Sequence, residues 1–165
     1  MYWLNLGSGD YPDAAPWVNI EARPEVAAAT GALHADVGDL PFADASIERL
    51  YAAHILEHLP MGRLMAVLHE WRRVLAPGGQ LMVVGPDIDR AIKLGQSELP
   101  SLSEIIAFGE PPHGHAWTCS AAVLRDVLLR GGLAVRELEI ADLRQTDWPV
   151  TSYAAWQCAF SCALP

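Results

Sequence analysis

The sequence predicts an α/β fold: one doubly wound domain on a mainly parallel sheet of seven strands. Three observations carry that expectation. Apolar runs of strand length alternate with segments of crossover length, the pattern of a parallel sheet buried on both sides. The first run breaks into Gly7-Ser8-Gly9, two glycines one residue apart, where a strand can turn sharply beneath a ligand. A second apolar run closes on Glu21, fourteen residues past Gly7, an acid placed at the end of the neighbouring strand.

In chain order, strand-length runs lie at 2–6, 18–21, 32–35, 49–53 and 80–84, each ended by Gly, Asp, His or Ala. Between the fourth and fifth, Leu64, Met65, Leu68, Trp71, Arg72 and Leu75 recur at three- and four-residue spacings. They predict a crossover helix over 61–75, stopped by Ala76-Pro77-Gly78-Gly79. A second helix is predicted over 120–130, capped by Thr118 or Ser120 and ended by Gly131-Gly132. Two further strands follow at 134–140 and 153–163, the last apolar on both faces. Two connections are short. Residues 10–16 are too few and too rich in Pro and Asp for a helix, and 25–31 offer about two turns at 3.6 residues each, so one face of the sheet is expected to be thinly covered. Residues 95–114 carry Pro100, Pro111, Pro112 and several glycines; with the stretch to Trp117 they read as a lid or acceptor loop over a single domain spanning 1–165.

Composition narrows the function. A chain of 165 residues holds one sizeable core, and 52% hydrophobic content without a run of roughly 18 to 20 apolar residues is that of a globular protein with no membrane span. No export signal opens the chain, and three cysteines without C-x-x-C spacing form neither a disulfide framework nor a zinc knuckle, so the cytoplasm is the expected compartment. The formal net charge of −9 disfavours nucleic acid, whose binding draws on Lys and Arg, and favours a small molecule or a basic surface. An exposed sheet face and an apolar last strand suit a homodimer.

With the glycine turn, Glu21, Asp36, Leu40-Pro41-Phe42, His54-Ile55-Leu56-Glu57-His58 and Arg73-Val74-Leu75-Ala76-Pro77-Gly78-Gly79 in this order, the chain resembles the Rossmann-like S-adenosylmethionine-dependent methyltransferases, in particular the small type-11 group. The match spans residues 4–132. The resemblance implies S-adenosylmethionine as cofactor. Gly7, Ser8 and Gly9 would wrap its methionine part, Glu21 would hold the ribose hydroxyls, Asp36 would contact the adenine amino group with the Val37 backbone beside it, and His54 would border the sulfonium. Asn5 stands where many relatives carry an acid that anchors the glycine turn, and the N-terminal helix that covers the cofactor in many relatives is absent ahead of the first strand.

His113 and His115 precede the second helix, near the carboxyl ends of the strands where ligands bind in such folds, and are the candidates to take a proton from the acceptor. An equal reading has them fixing the loop. His54-Ile55-Leu56-Glu57-His58 also fits H-x-x-E-H, a zinc-protease pattern, but a strand end at His54 keeps the two histidines off one helical face and no third ligand follows at a characteristic spacing, so no metal is expected. Pro86-Asp87 sits at the mouth. Two other classes remain open: a non-catalytic cofactor-binding module or partner subunit, and an NAD(P)-dependent oxidoreductase, against which Tyr11 stands at the place of a third glycine.

Overall fold

The computed structural model describes residues 1–94, 114–143, 146–149 and 156–165. Seven strands form one sheet: β1 Tyr2–Leu6, β2 Trp17–Glu21, β3 Leu33–His34, β4 Ile47–Ala53, β5 Leu75–Pro86, β6 Ala134–Leu138 and β7 Gln157–Ala163. Their order is β3-β2-β1-β4-β5-β7-β6. The first five pair in parallel, and β7 runs antiparallel between β5 and β6. The expected α/β class, strand count and mainly parallel sense are therefore what the chain adopts.

Among the described residues the helices are α1 Pro24–Thr30, α2 Met61–Val74, α3 Ile88–Leu94, α4 Ala121–Arg130 and α5 Ile140–Leu143, with a single 3-10 turn at Leu56–His58. Pro at the start of α1 costs no hydrogen bond, and Gly31 ends it with a left-handed residue. Ser120 is the cap of α4, its Oγ accepting from Val123 N–H at 3.4 Å.

Several elements differ from expectation. The stretch 76–79 is not a loop after the helix: Val74 ends α2 and Leu75 already pairs with Ile47 as the first residue of β5. Arg49 then faces Gln80, so β5 holds extra residues against β4 and bulges at Pro77-Gly78-Gly79. A Cβ on Gly79 would lie 2.8 Å from the Ala76 carbonyl oxygen and 3.0 Å from that of Ile47, which is why the bulge ends in glycine. The expected sixth strand, 134–140, stops at Leu138, and Ile140 opens α5 instead. The third strand shrinks to two residues. Of the expected seventh strand, 153–163, residues 153–155 lie outside the described residues, as does 95–113 of the expected lid.

The two faces of the sheet are covered differently. On one, Leu4, Leu6, Ile20, Leu50, Ala52, Leu81, Val83, Cys158, Phe160 and Cys162 meet Leu64, Leu68, Trp71 and Val74 of α2 and Leu124, Val127 and Leu128 of α4 in one buried cluster. Each large side chain fully buried there contributes roughly 1.5–3 kcal/mol. The other face receives α5 and a cluster of rings. Tyr51, Met82, Val84 and Ala159 pack with Ile140, Leu143 and Trp148. Beside them the Arg49 guanidinium lies 4.3 Å from the Trp3 ring centre and 5.4 Å from that of Trp148, and its Nη1 meets Asp147 Oδ2 at 2.7 Å. Trp17 contacts Trp3, Tyr51 and Trp148. Among the described residues no helix is long and apolar enough to cross a membrane.

Candidate functional site

A parallel sheet gathers its strand ends on one rim, and the candidate residues lie there. Gly7 and Gly9 follow β1 with φ of 59° and 57°, a left-handed backbone that an L side chain rarely adopts. A Cβ on Gly7 would come within 3.0 Å of Ile55 Cδ1, so this turn rests on the residue next to His54. Ser8 N–H donates to the Ile20 carbonyl at 3.0 Å, stitching the turn to β2. Its Oγ is buried without a hydrogen-bond partner among the described residues, a polar atom that a ligand could satisfy.

Glu21, at the end of β2, is 5% exposed and faces the turn. Its Oε2 accepts from Gly9 N–H at 2.9 Å, and its Oε1 accepts from Arg23 N–H at 2.9 Å and Arg23 Nε at 3.0 Å. Burial alone would raise this carboxyl, but the Arg23 hydrogen bonds and charge with the Gly9 N–H outweigh it and hold the group below its usual range. Glu21 is ionised, fixed, and ringed by donors. Arg23 was not singled out from the sequence, although an Arg two residues past the acid is visible there.

Asn5 lies just before the turn, 5% exposed, with its amide donating to Asp13 Oδ2 at 2.8 Å and to Asn19 Oδ1 at 2.9 Å. Asn19 in turn donates to the Asp13 carbonyl at 2.8 Å. Asp13 thus puts a carboxylate beside Asn5, where the resemblance led one to expect an acid on the strand itself. Burial pushes the Asp13 carboxyl up.

Asp36 lies two residues past His34, whose register partner is Glu21. Its Oδ1 accepts from Gly38 N–H at 2.7 Å and from Arg63 Nη2 at 2.8 Å, and the side chain is half-exposed. Val37 is buried, its carbonyl accepting from Trp71 Nε1 at 2.9 Å. The Leu40-Pro41-Phe42 turn is held by Arg73, which donates to the carbonyls of Leu40 and Phe42 at 3.2 and 2.9 Å and grips Glu70 through Nε and Nη2, both at 2.7 Å.

His54 leaves β4 with φ of 54°, outside the regions a non-glycine residue prefers. Its Nδ1 lies 2.9 Å from Glu57 Oε1 and its Nε2 lies 2.6 Å from the Gln157 amide nitrogen. A carboxylate can only accept, so Nδ1 carries the hydrogen; Nε2 then takes one from Gln157. The Trp156 ring stands 5.9 Å away. Gln157, 103 residues on, carries no local signal of this contact; only the pairing of β7 with β5 brings it there.

His115 is described and His113 is not. The Ala116 N–H donates to the Glu57 carbonyl at 2.7 Å, and Trp117 Nε1 donates to the carbonyls of Leu56 and Leu59 at 3.1 and 3.2 Å. The segment is pinned to the 3-10 turn, and the His115 ring stands edge-on to His58 at 4.8 Å. Asp87 is buried, its Oδ1 accepting from Asp89 and Ala121 N–H and its Oδ2 facing Arg90 at 3.3 Å, so it joins α3 to α4.

Residues 13–83 match the family model described as "Methyltransferase domain"; the match covers Glu21, Asp36 and His54 and begins past the glycine turn. No curated protein matches in sequence. Among solved structures, the chain is similar to a putative methyltransferase of Haloferax volcanii crystallised with the Trm112 methyltransferase activator: 19% identity, TM-score 0.66, 99% of this chain and 82% of that one. It is also similar to a SAM-dependent methyltransferase from Archaeoglobus fulgidus, at 12% identity and TM-score 0.65 over 98% of this chain and 85% of that one. A SAM-dependent methyltransferase from Methanosarcina mazei is similar at 16% identity and TM-score 0.65, over 99% and 92%.

Proposed function

We propose that this chain, whose residues 13–83 match the methyltransferase-domain model, binds S-adenosylmethionine at the rim formed by β1, β2 and β4 and transfers its methyl group to a small-molecule acceptor. The observation that carries this reading is the pairing of a left-handed glycine turn with a buried, ionised Glu21 hydrogen-bonded to Gly9. The cofactor, when bound, supplies a methyl group already activated on a sulfonium.

The chain's own residues then have definable tasks. Gly7 and Gly9 bring backbone into contact with the cofactor without a Cβ to hold it off. Ser8 Oγ has an open hydrogen-bonding position toward the turn. Glu21 accepts from both ribose hydroxyls once the Arg23 side chain swings out, while the Gly9 N–H keeps the carboxylate aimed. Asp36 and the Val37 backbone serve the adenine end. His54, locked by Glu57 and Gln157, walls the methyl end, and alignment there supplies much of the rate because the sulfonium needs little further activation. His113 and His115 belong to the acceptor side, as the bases for a hydroxyl or amine. The net charge of −9 supports a small molecule over a nucleic acid, and three unpaired, buried cysteines fit a reducing cytoplasm.

Calorimetric titration with S-adenosylmethionine and S-adenosylhomocysteine tests the reading, with NAD as control. Wild type should bind both sulfur ligands and not NAD, and Glu21→Gln should weaken them about tenfold or more. Binding of NAD alone would turn the assignment to a hydride-transfer enzyme. Binding without methylation across an acceptor panel would leave a cofactor-binding module.

A further inference from the structure

We propose that Glu57, His58 and His115 form a binding site for one divalent transition-metal ion of the zinc, cobalt or manganese kind. The inference stands on donor positions and charge; with the ion bound, His115 serves as a ligand and the role of acceptor base falls to His113.

One ligand atom from each of the three residues lies within 4.8 Å of the other two. Donors about 2.1 Å from a metal stand ~3.4 Å apart in a tetrahedral site and at most ~4.2 Å when opposed. Closure therefore needs the donors to draw together by roughly half an ångström to an ångström each. The backbone that carries them is already fixed. Glu57 and His58 are neighbours on the 3-10 turn, and the segment bearing His115 is held to the same turn by the Ala116 N–H and the Trp117 indole. Both imidazoles are half-buried, and they already stand 4.8 Å apart, edge to face.

Charge points the same way. Glu57 is 1% exposed, and among the described residues its ion-pair partner is an imidazole, not a Lys or Arg. A buried carboxylate facing only rings is costly unless a cation joins it. A metal ion would supply that charge. The supporting contacts suit a ligand: Glu57 Oε1 accepts from His54 Nδ1–H, and His54 is fixed in turn by Gln157, the outer hydrogen bonding that orients metal-binding carboxylates. Two imidazoles and one carboxylate favour transition metals over calcium or magnesium, which prefer oxygen donors throughout. Three protein ligands leave a coordination position for water or for an oxygen of a bound molecule.

The H-x-x-E-H pattern would need His54 and His58 together on one helix. The fold instead directs His54 onto Glu57 and brings His115 in from 57 residues downstream of His58, a spacing with no local signature.

The test uses the full chain without an affinity tag, stripped with chelator, titrated with Co2+ by visible absorption and with Zn2+ by calorimetry. Wild type should take up one equivalent, and His58→Ala and His115→Ala should each weaken binding about tenfold or more. His34→Ala should leave binding unchanged. Matching metal-free melting temperatures keep these variants informative even if Glu57→Gln fails to fold. No saturable binding, or binding equally tight in both histidine variants, overturns the proposal. Titrating S-adenosylmethionine into the metal-free protein reports separately on the methyl-transfer reading.

Discussion

In the proposed site, Arg23 would compete with the ribose hydroxyls for the Glu21 carboxylate. Because Arg23 donates to the same Glu21 oxygens that a ribose would use, Arg23→Ala should tighten S-adenosylmethionine by about three- to tenfold, as calorimetry would record. Weaker binding in that variant would mean that the guanidinium is part of the bound site. Gly7→Ala should abolish binding, since the new Cβ meets Ile55 at 3.0 Å on a backbone with φ of 59°. At this scale the sequence was readable wherever the chemistry is local. Two glycines after a strand and an acid after the next announce their positions through spacing alone. Gln157 and Asp13 could not be found so, since the one reaches His54 across the sheet and the other reaches Asn5 through a loop of irregular backbone. His54 itself was readable as a position, whereas its left-handed backbone was not.

Elements were legible in proportion to their periodicity. Helix α2 and the cap and end of α4 agree with expectation within a residue, because amphipathic spacing and terminal signals coincide. The short helices α3 and α5 were missed; at seven and four residues they carry too little periodicity, and tertiary contacts hold them. The bulge in β5 was read as a helix stop, since Pro and Gly mark both. It yields a prediction of its own: Gly79→Ala should lower stability by about 1–3 kcal/mol, seen as a reduced denaturation midpoint, because the atoms its Cβ meets are backbone carbonyls that cannot turn away. Ser120→Ala should lose about 0.5–2 kcal/mol, because the first turn of α4 would lose its cap.

For the molecule as a whole, the doubly wound architecture was readable, while the ring cluster on the second face was not. Cation and ring contacts among Trp3, Trp17, Arg49, Tyr51 and Trp148 depend on register, which no local pattern reports. Stability should respond to acid in a definite sense. Glu21 and Glu70 sit below their usual value of 4.5: for each, burial opposes the shift, and Arg23 or Arg73 together with backbone N–H groups drives it. Their contribution is complete above the unfolded value and is lost as pH falls through the lower folded values. Melting temperature should thus fall steeply in acid below about pH 4.5, and the Glu70→Gln variant should show a shallower fall over that range. Burial pushes the Cys158 and Cys162 thiols up to about 12 and Cys119 higher still, so none should react with a thiol reagent at pH 8 until the protein unfolds. The position of β7 has a consequence for biosynthesis. Strand β6 pairs with β7, and β7 with β5, so residues 134–138 have no place in the sheet until residues 157–163 have left the ribosome. The nascent chain must hold β6 in waiting through that interval, with an open edge on β5 for a chaperone to guard.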